Sequence, residues 1–244
     1  MTKEIKILYE DPNVLAIEKP SGIFVHGDGR SKQKTIADWI IKKYPKIKNV
    51  GESQFFDNKK MRVEIKKPGI VHRLDTETSG ALLIAKTSKA YEFLKQQFKE
   101  RLVKKTYVAI VSGHVKNDRG VINKPIGRSP KDFRRWLAGR GSRGTLREAI
   151  TEYKVIKRFT NKKGAKFTYL EIKPKTGRTH QIRVHMKFLN HPVVCDSLYN
   201  PGAPCPKGIY RLALHAKKIE FKNLKGKTVT VESNVPREFL KVVK

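Results

Sequence analysis

The stretch HRLDTETSG, which runs from His72 to Gly80, contains one aspartate whose position suits chemistry. The apolar segment PGIVHRL precedes Asp75 and the buried-strand pattern ALLIAK follows it, so its side chain is expected at the edge of a strand. A carboxylate held there could act as a nucleophile. Desolvation would favour its neutral form, so it would stay ionised only beside a cation or several hydrogen-bond donors. Position alone favours the simpler interpretation, an aspartate that caps a turn.

The histidines do not have the spacing of a metal site. His180 and His185 in THQIRVH are five residues apart. On a helix this rotates one side chain about 140° from the other, whereas zinc-binding helices use positions i and i+4. His72, His114 and His215 have no partner at ligand spacing and are interpreted as structural. The chain also has no P-loop and no GxGxxG motif, so neither a metal nor a nucleotide cofactor is expected.

Only two cysteines occur, Cys195 and Cys205, on either side of DSLYNPGAP. Two cysteines are too few for a secreted disulfide framework and their spacing is not that of a zinc site. They therefore indicate a reducing, cytoplasmic compartment, with Cys195 as a small core residue. The N-terminal segment MTKEIKILYED mixes charges, and no apolar run approaches the roughly 20 residues of a membrane helix. Neither a signal peptide nor a membrane span is expected.

The strongest global signal is charge. The 244 residues include 54 Lys and Arg against 22 Asp and Glu, a formal net charge of +32, and 38% are hydrophobic, enough for a core. Such a charge favours a polyanionic partner, because neutralised phosphates release counterions. A lysine-rich surface adapted to salt or heat is the alternative for the charge alone.

The most basic and least periodic segment is 119–147, which places Phe133 and Trp136 among arginines and glycines. It is predicted to be a mobile basic arm or loop that follows a phosphate backbone and stacks on exposed bases. Its predicted contacts with nucleic acid are Arg134, Arg135, Trp136 and Arg140.

Alternating strand and helix patterns predict one compact α/β or α+β domain of two lobes. Strands are predicted in IKILYED, VLAIEKPSGIFVHG, GALLIAKT, KKTYVAIVSG, TEYKVIKRF, AKFTYLEIKP, LALHAKKIEF and KTVTVES. Helices are predicted behind a capping pair of Thr35 and Asp38, in SKAYEFLKQQFKER, and in TGRTHQIRVHMKFLNHP with a cap near Thr179. Residues 50–68 show no clear periodicity and are predicted to be a loop.

The stretch HRLDTETSG resembles the catalytic motif of the RluA-type pseudouridine synthases, in which His-Arg-Leu-Asp is followed by two variable residues and Thr-Ser-Gly. Related families commonly have Gly in place of His72, so the resemblance is to the RluA branch rather than to the RsuA or TruB branches. Four further segments follow in family order. VLAIEKPSGIFVHG resembles the lysine-proline motif, KKTYVAIVSG the tyrosine motif, KTGRTHQIRVHM the arginine motif and LALHA the late hydrophobic motif. The resemblance covers roughly Tyr9 to Glu220.

The resemblance implies an α+β pseudouridine synthase fold, a mixed and largely antiparallel sheet with flanking helices and a central basic cleft. A single catalytic domain, 1–244, would have two lobes and no S4 domain. The implied enzyme is an isomerase that flips specific uridines out of structured RNA and converts them to pseudouridine. Ribosomal RNA is the favoured substrate and transfer RNA the second. No cofactor or metal is implied, and a cytoplasmic monomer is expected.

Residue by residue, the resemblance implies that Asp75 is the nucleophile and Arg183 its salt-bridge partner. Tyr107 would lie against the base and act in proton abstraction. Arg73 would help to flip the nucleotide, and Leu214 would pack on the uracil. The remaining residues assigned to substrate binding are His72, Arg178, Arg134, Arg135 and Trp136.

Two departures and two alternatives accompany this interpretation. Cys195 and Asn200 stand where the family usually has glycine, which leaves the backbone geometry of CDSLYN open. The N-terminus has no room for an S4 domain, so RNA binding is expected from the catalytic domain and the arm. A non-catalytic RNA-binding or ribosome-assembly protein on the same fold would not explain why Asp75, Tyr107 and Arg183 occur together. A metal-dependent nuclease would need clustered carboxylates, which the sequence lacks.

Overall fold

A computed structural model describes residues 4–27, 33–58, 61–139 and 141–244. The chain forms two compact units. Unit 1 contains Met1–Lys104 and Lys218–Ser233, and unit 2 contains Lys105–Lys217 and Asn234–Lys244. Mixed, largely antiparallel β-structure with four α-helices in the described ranges confirms the predicted α+β class. No helix in the part of the chain that the structure describes is long and apolar enough to span a membrane.

The strands and helices are, in chain order, β1 (Lys6–Glu10), β2 (Val14–Lys19), α1 (Ile36–Lys43), β3 (Gln54–Asn58), β4 (Met61–Ile65), β5 (Ser79–Ala85), α2 (Ser88–Lys99), β6 (Lys104–Ser112), β7 (Arg119–Asn123), β8 (Ile126–Arg128), β9 (Trp136–Ala138), β10 (Arg143–Arg147), β11 (Ile150–Thr160), β12 (Lys166–Pro174), α3 (Gln181–Phe188), β13 (Leu214–Lys222), β14 (Thr228–Glu232) and α4 (Arg237–Val243). A 3₁₀ turn, Pro45–Ile47, follows α1.

In unit 1, β2 lies between β1 and β5, and both of its pairings are antiparallel. The turn between β1 and β2 is held by Asp11, whose Oδ1 accepts the N–H groups of Asn13 and Val14, both at 2.7 Å. Every residue of β5 is buried, as its continuous apolar run predicts. The predicted capping pair is also confirmed, because Thr35 and Asp38 form a reciprocal capping box at the start of α1.

The prediction of a loop over residues 50–68 is wrong, because β3 and β4 form an antiparallel hairpin there. Contacts between side chains across the two strands hold this hairpin, so its sequence does not need the alternation of apolar residues that a half-buried strand shows. The Arg62 guanidinium lies 4.1 Å from the centre of the Phe55 ring, and Phe55 is exposed. The Ser53 hydroxyl donates to Glu64 at 2.6 Å. Such a pattern is difficult to recognise from sequence.

Unit 1 also contains the second part of β13, Lys218–Lys222, which pairs with β14 as predicted. Gln97 on α2 bonds to both backbone groups of Lys222, donating at 2.9 Å and accepting at 2.8 Å. The rings of Tyr9 and Phe221 meet edge to face. Residues distant in sequence therefore complete this unit.

In unit 2, the strand order is β6, β12, β11, β7, with every pair antiparallel. The predicted β11–β12 hairpin is confirmed. The core includes β6, β12 and one face of α3, with Met186 fully buried and Ile182 buried. Helix α4, which was not predicted, adds the fully buried Phe239 to this core. Its first turn is tied by an ion pair between Glu238 and Arg211 at 2.9 Å.

The prediction of an irregular arm over 119–147 is wrong. The strand β7 pairs with β11, and β8 lies between β10 and β9 in a separate three-stranded sheet. These strands have three to five residues each, too short to show a period among so many arginines and glycines. Arg140 lies outside the described residues.

Two local predictions in unit 2 are also wrong. The N-cap of α3 is His180, at a left-handed φ of 55°, and no side chain caps the helix there. Gln181 supports this end of α3 by accepting the Arg178 N–H at 3.0 Å. Cys195 is not a core thiol, since it is only partly buried and forms a disulfide with Cys205. The intervening turns bring their Cα atoms to 5.4 Å, within bonding range.

We expect Phe239→Ala to destabilise the protein by about 3–5 kcal/mol, because it leaves a cavity in the core of unit 2. The neighbouring Leu240 is 44% exposed, so Leu240→Ala should change stability by no more than about 0.5 kcal/mol. Urea unfolding of the two variants measures the difference. Equal midpoints would show that α4 contributes no core packing.

Candidate functional site

The turn that carries Asp75 is held by the end of β2. Lys19 is fully buried, and its Nζ donates to the carbonyl oxygens of Pro20 at 2.8 Å and Thr76 at 2.9 Å. The Gly22 N–H also donates to Thr76 at 2.8 Å, and the turn closes with the Thr78 N–H on the Asp75 carbonyl at 3.1 Å. A buried ammonium is tolerated only with such partners. The lysine-proline segment therefore fixes the backbone around Asp75.

The residues before Asp75 divide into an inner and an outer group. The Nε2 of His72 accepts the Leu83 N–H at 2.9 Å, and its ring stacks on Phe98 at 4.8 Å between centroids. Leu74 is buried, whereas Arg73 is exposed. His72 thus anchors this segment to β5 and α2, as its structural interpretation requires. Arg73 has the exposure that a contact with substrate needs.

Arg183 lies in α3 with only 4% of its side chain exposed, paired with Asp196. Its Nε donates to Oδ2 and its Nη2 to Oδ1 of Asp196, both at 2.7 Å. The guanidinium also lies 5.1 Å from the centre of the Tyr199 ring. This is the planar, two-point geometry that an arginine provides. Arg183 is therefore an oriented, buried cation rather than a charge on a helix surface.

Asp196, which pairs with Arg183, is a residue of this candidate site that the sequence did not predict. Its carboxylate is fully buried, and Oδ1 also accepts the N–H groups of Leu198 and Tyr199, each at 3.0 Å. Two oxygens thus receive four donors, which offsets the cost of burying the charge. The signal in the sequence was its place directly after Cys195, one of the two positions where the family usually has glycine.

The replacements of glycine in this segment keep the backbone geometry. Cys195 has a left-handed φ of 55°, a conformation that glycine adopts without steric cost. Asn200 does not have a positive φ. Its Nδ2 donates to the Ser112 hydroxyl at 3.1 Å, so the larger side chain binds the end of β6.

Tyr199 connects the turn after Asp196 to two other segments. Its hydroxyl accepts the N–H of Trp136 at 2.9 Å and lies 2.9 Å from Nδ1 of His180. Its ring packs with Ile126 and Val184 in a small buried cluster. The small sheet and the N-terminus of α3 are therefore both tied to the segment that holds Arg183. His180 takes part as a hydrogen-bonding residue.

Two further predicted site residues in unit 2, Tyr107 and Leu214, lie on strands. Tyr107 is half-buried on β6, opposite Ile172 of β12, and packs against the core. Leu214 is buried at the start of β13. Asp75 and Arg73 belong to unit 1, whereas Tyr107, Arg183 and Leu214 belong to unit 2. The salt bridge between Asp75 and Arg183 stays a prediction.

The basic residues predicted to contact nucleic acid differ in exposure. Arg134 is exposed and bonds to Asp132 at 3.1 and 3.0 Å, and Arg135 approaches the same carboxylate at 3.4 Å. Hydrogen bonds from Arg134 lower the pKa of Asp132 to about 2. Trp136 is half-buried beneath the Arg128 guanidinium, 4.7 Å from its ring centre. Phe133, at 75% exposure, is an aromatic side chain available for stacking.

Arg178 precedes α3, and its Nε donates to the carbonyl of Glu148 at 2.9 Å. His185 lies inside the helix with Nδ1 2.8 Å from the Thr151 hydroxyl and Nε2 2.9 Å from the Lys124 carbonyl. Burial lowers the pKa of His185. Within residues 4–27, 33–58, 61–139 and 141–244, no three His, Cys, Asp or Glu side chains cluster as metal ligands do.

Comparison with known proteins finds relatives that share one description. A family model described as RNA pseudouridylate synthase matches residues 13–188. An uncharacterized RNA pseudouridine synthase of Synechocystis sp. is 34% identical over 240 residues, 98% of this chain and 68% of that protein. The ribosomal large subunit pseudouridine synthase D of Borreliella burgdorferi is 36% identical over 236 residues, 97% of this chain and 67% of that protein.

Coverage of the relatives is partial. A relative from Aquifex aeolicus, named as an uncharacterized RNA pseudouridine synthase, is 38% identical over 85% of this chain and 60% of its own length. The chain thus spans 60% to 68% of these three relatives. Among solved structures, human RNA pseudouridylate synthase domain containing 1 matches with a TM-score of 0.73 and 26% identity. That match covers 96% of this chain and 84% of the human chain.

We expect Asp196→Asn to destabilise the protein by about 3–5 kcal/mol, because it removes the negative charge of a buried, two-point ion pair. The matched control is Asp118→Asn, which removes an exposed carboxylate paired with Arg158 and should cost no more than about 1 kcal/mol. Urea unfolding measures both. Equal losses of stability would contradict the central role of the buried pair.

Proposed function

The chain belongs to the RNA pseudouridylate synthase family, a family of isomerases that act on RNA, and from this premise we propose that it converts uridine to pseudouridine in structured RNA with Asp75 as the nucleophile. The observation that carries the proposal is the turn of HRLDTETSG, in which buried Lys19 and the Gly22 N–H hold the backbone next to Asp75. A nucleophile needs such a fixed position, because small displacements cost rate.

The proposed reaction rearranges bonds without a net change in atoms. The bond between N1 of uracil and C1′ of the ribose breaks, the uracil turns, and a bond forms between C5 and C1′. The proton at C5 is lost and N1 gains one, so no oxidant, reductant or metal is required. Asp75 attacks C1′ or C6, or assists a glycal route through loss of the 2′ proton. All three routes need an ionised carboxylate and a nearby base, for which we propose Tyr107.

Arg183 is the proposed partner that keeps Asp75 ionised. A guanidinium has five N–H donors, and Asp196 takes two of them through Nε and Nη2. A second carboxylate can therefore share the same cation. An oriented arginine would favour the charged form of Asp75 in a closed site. A carboxylate at this position needs such a cation or several hydrogen-bond donors nearby to stay ionised. Arg73 and Leu214 are proposed to hold the flipped nucleotide.

The proposed substrate is ribosomal RNA, with transfer RNA second. The relatives from Borreliella burgdorferi and Neisseria meningitidis are both named ribosomal large subunit pseudouridine synthase D. The net charge of +32 supports a large polyanionic substrate. We further propose a monomer, because one chain supplies Asp75, Tyr107 and Arg183. The Cys195–Cys205 disulfide removes the cysteine argument for a reducing compartment, so the proposed cytoplasmic location rests on the proposed RNA substrates.

We expect Asp75→Asn to abolish pseudouridine formation while RNA binding is retained, because the amide removes the nucleophile at nearly constant volume. Tritium release from ribosomal RNA labelled at C5 of uridine measures turnover, and filter binding measures affinity. Asp118→Asn is the control and should keep full turnover. Turnover by Asp75→Asn would reject the nucleophile. Binding without turnover by the unaltered chain would favour a non-catalytic RNA-binding protein.

We expect the double replacement of Arg134 and Arg135 by Gln to weaken RNA binding and to reduce its salt dependence. The slope of log Kd against log salt should fall by about 1 for each phosphate that the variant no longer neutralises. The control replaces Arg211, which is paired with Glu238 beside α4, by Gln. A slope unchanged in the double variant would contradict binding of this region to RNA.

A further inference from the structure

Lys105 is a half-buried amine on the same strand as Tyr107. It stands two residues before Tyr107 on β6, and residues i and i+2 of a strand point to the same side. A Cβ placed on Gly177 would lie 3.6 Å from Nζ of Lys105, so the amine rests against the loop that leads into α3. Lys105 thus lies on the strand of the proposed base and against the loop that precedes the helix of Arg183.

Lys105 has no counter-charge among the residues that the structure describes. None of them forms a hydrogen bond or ion pair with its Nζ. Glu171, the carboxylate on the adjacent strand β12, has another partner, since it pairs with Lys173 at 3.2 Å. Burial therefore lowers the pKa of Lys105 from 10.5 to about 8. The amine is still mostly protonated at neutral pH.

We propose that Lys105 binds a phosphate of the RNA strand beside the target uridine. This inference rests on the proposed function. A partly buried ammonium without an anion is unfavourable until one arrives, and a phosphodiester supplies that anion only when substrate is bound. Its position on the Tyr107 face of β6 places this phosphate next to the reacting nucleotide. The interaction would position the strand and would not read its sequence.

The interaction has a defined pH dependence. Lys105 must be protonated to bind a phosphate, so the contribution is present below the pKa of about 8 in the free protein and is lost as pH rises. A bound phosphate raises this pKa, so in the complex the contribution of Lys105 to binding is lost only at a higher pH. Other ionisable groups on β6, on the neighbouring strands β12 and β13 and in the loop before α3 include Tyr107, Lys104, Tyr169, Glu171, Lys173, Lys175, Arg178, His215 and Lys217. Comparing variants at one pH cancels their contribution.

The first test measures how tightly the full chain binds a labelled oligouridylate. The variants are Lys105→Met and Lys105→Arg, and the matched control is Lys104→Met, which changes the exposed neighbour. Near pH 7, Lys105→Met should bind about tenfold more weakly and lower the salt slope by about 1. Lys105→Arg should bind like the unaltered protein. At about pH 9 it should bind more tightly than the unaltered protein, because a guanidinium stays charged. Equal affinity of Lys105→Met and the unaltered protein near pH 7 would overturn the proposal.

The second test separates this inference from the proposed function. On ribosomal RNA labelled at C5, Lys105→Arg should retain turnover and Lys105→Met should raise KM more than it lowers kcat. Lys105→Arg that binds RNA but has no turnover would mean that the amine transfers a proton, and would overturn the phosphate assignment. No turnover by the unaltered chain, with the binding differences intact, would reject the proposed reaction and leave the phosphate assignment standing. Lys105→Met should unfold at no lower urea concentration than the unaltered protein, because it removes an uncompensated charge. A lower urea midpoint for this variant would overturn the assignment of Lys105 as unpaired.

Discussion

The buried ion pair between Arg183 and Asp196 is the interaction on which the site in unit 2 depends. Both charges are almost completely removed from water, so each must receive its full set of partners or the segment would not fold. Asp196 meets this condition by accepting two guanidinium and two backbone donors. The same turn orients Tyr199, which links α3 to the small sheet. One electrostatic constraint thereby fixes a helix, a turn and a strand.

Unit 1 uses a related device around Asp75. There the buried cation is Lys19, whose Nζ donates to two backbone carbonyls. Lys19 and Arg183 are thus compensated within the fold, and their positions are set before any substrate arrives, which is the arrangement that favours catalysis by fixed charges. Lys105 differs from both because the described residues supply no compensating anion. A counter-charge for Lys105 must therefore come from a bound molecule.

The sequence was sufficient wherever one physical signal dominated. The apolar run of β5, the alternation of β11 and β12, and the Thr35–Asp38 capping box are local patterns, and each appears in the structure. The hairpin of β3 and β4 and the small sheet of β8, β9 and β10 were missed because their strands are short and show no hydrophobic period. Asp196 was missed for another reason. Its importance comes from Arg183, thirteen residues earlier, and side-chain geometry across a helix and a turn has no local signature.

Both units are discontinuous in sequence, and this affects how the protein can be made. Unit 1 requires Lys218–Ser233, which includes β14, and unit 2 requires Asn234–Lys244, which places Phe239 in its core. A ribosome synthesises residues in order, and folding during synthesis usually completes N-terminal domains first. Unit 1 lacks β14 until Glu232 has been synthesised, and unit 2 lacks α4 until Val243 has been synthesised. The two units therefore reach their complete folds at almost the same point of translation, and a partly synthesised chain holds Asp75 in an unfinished sheet.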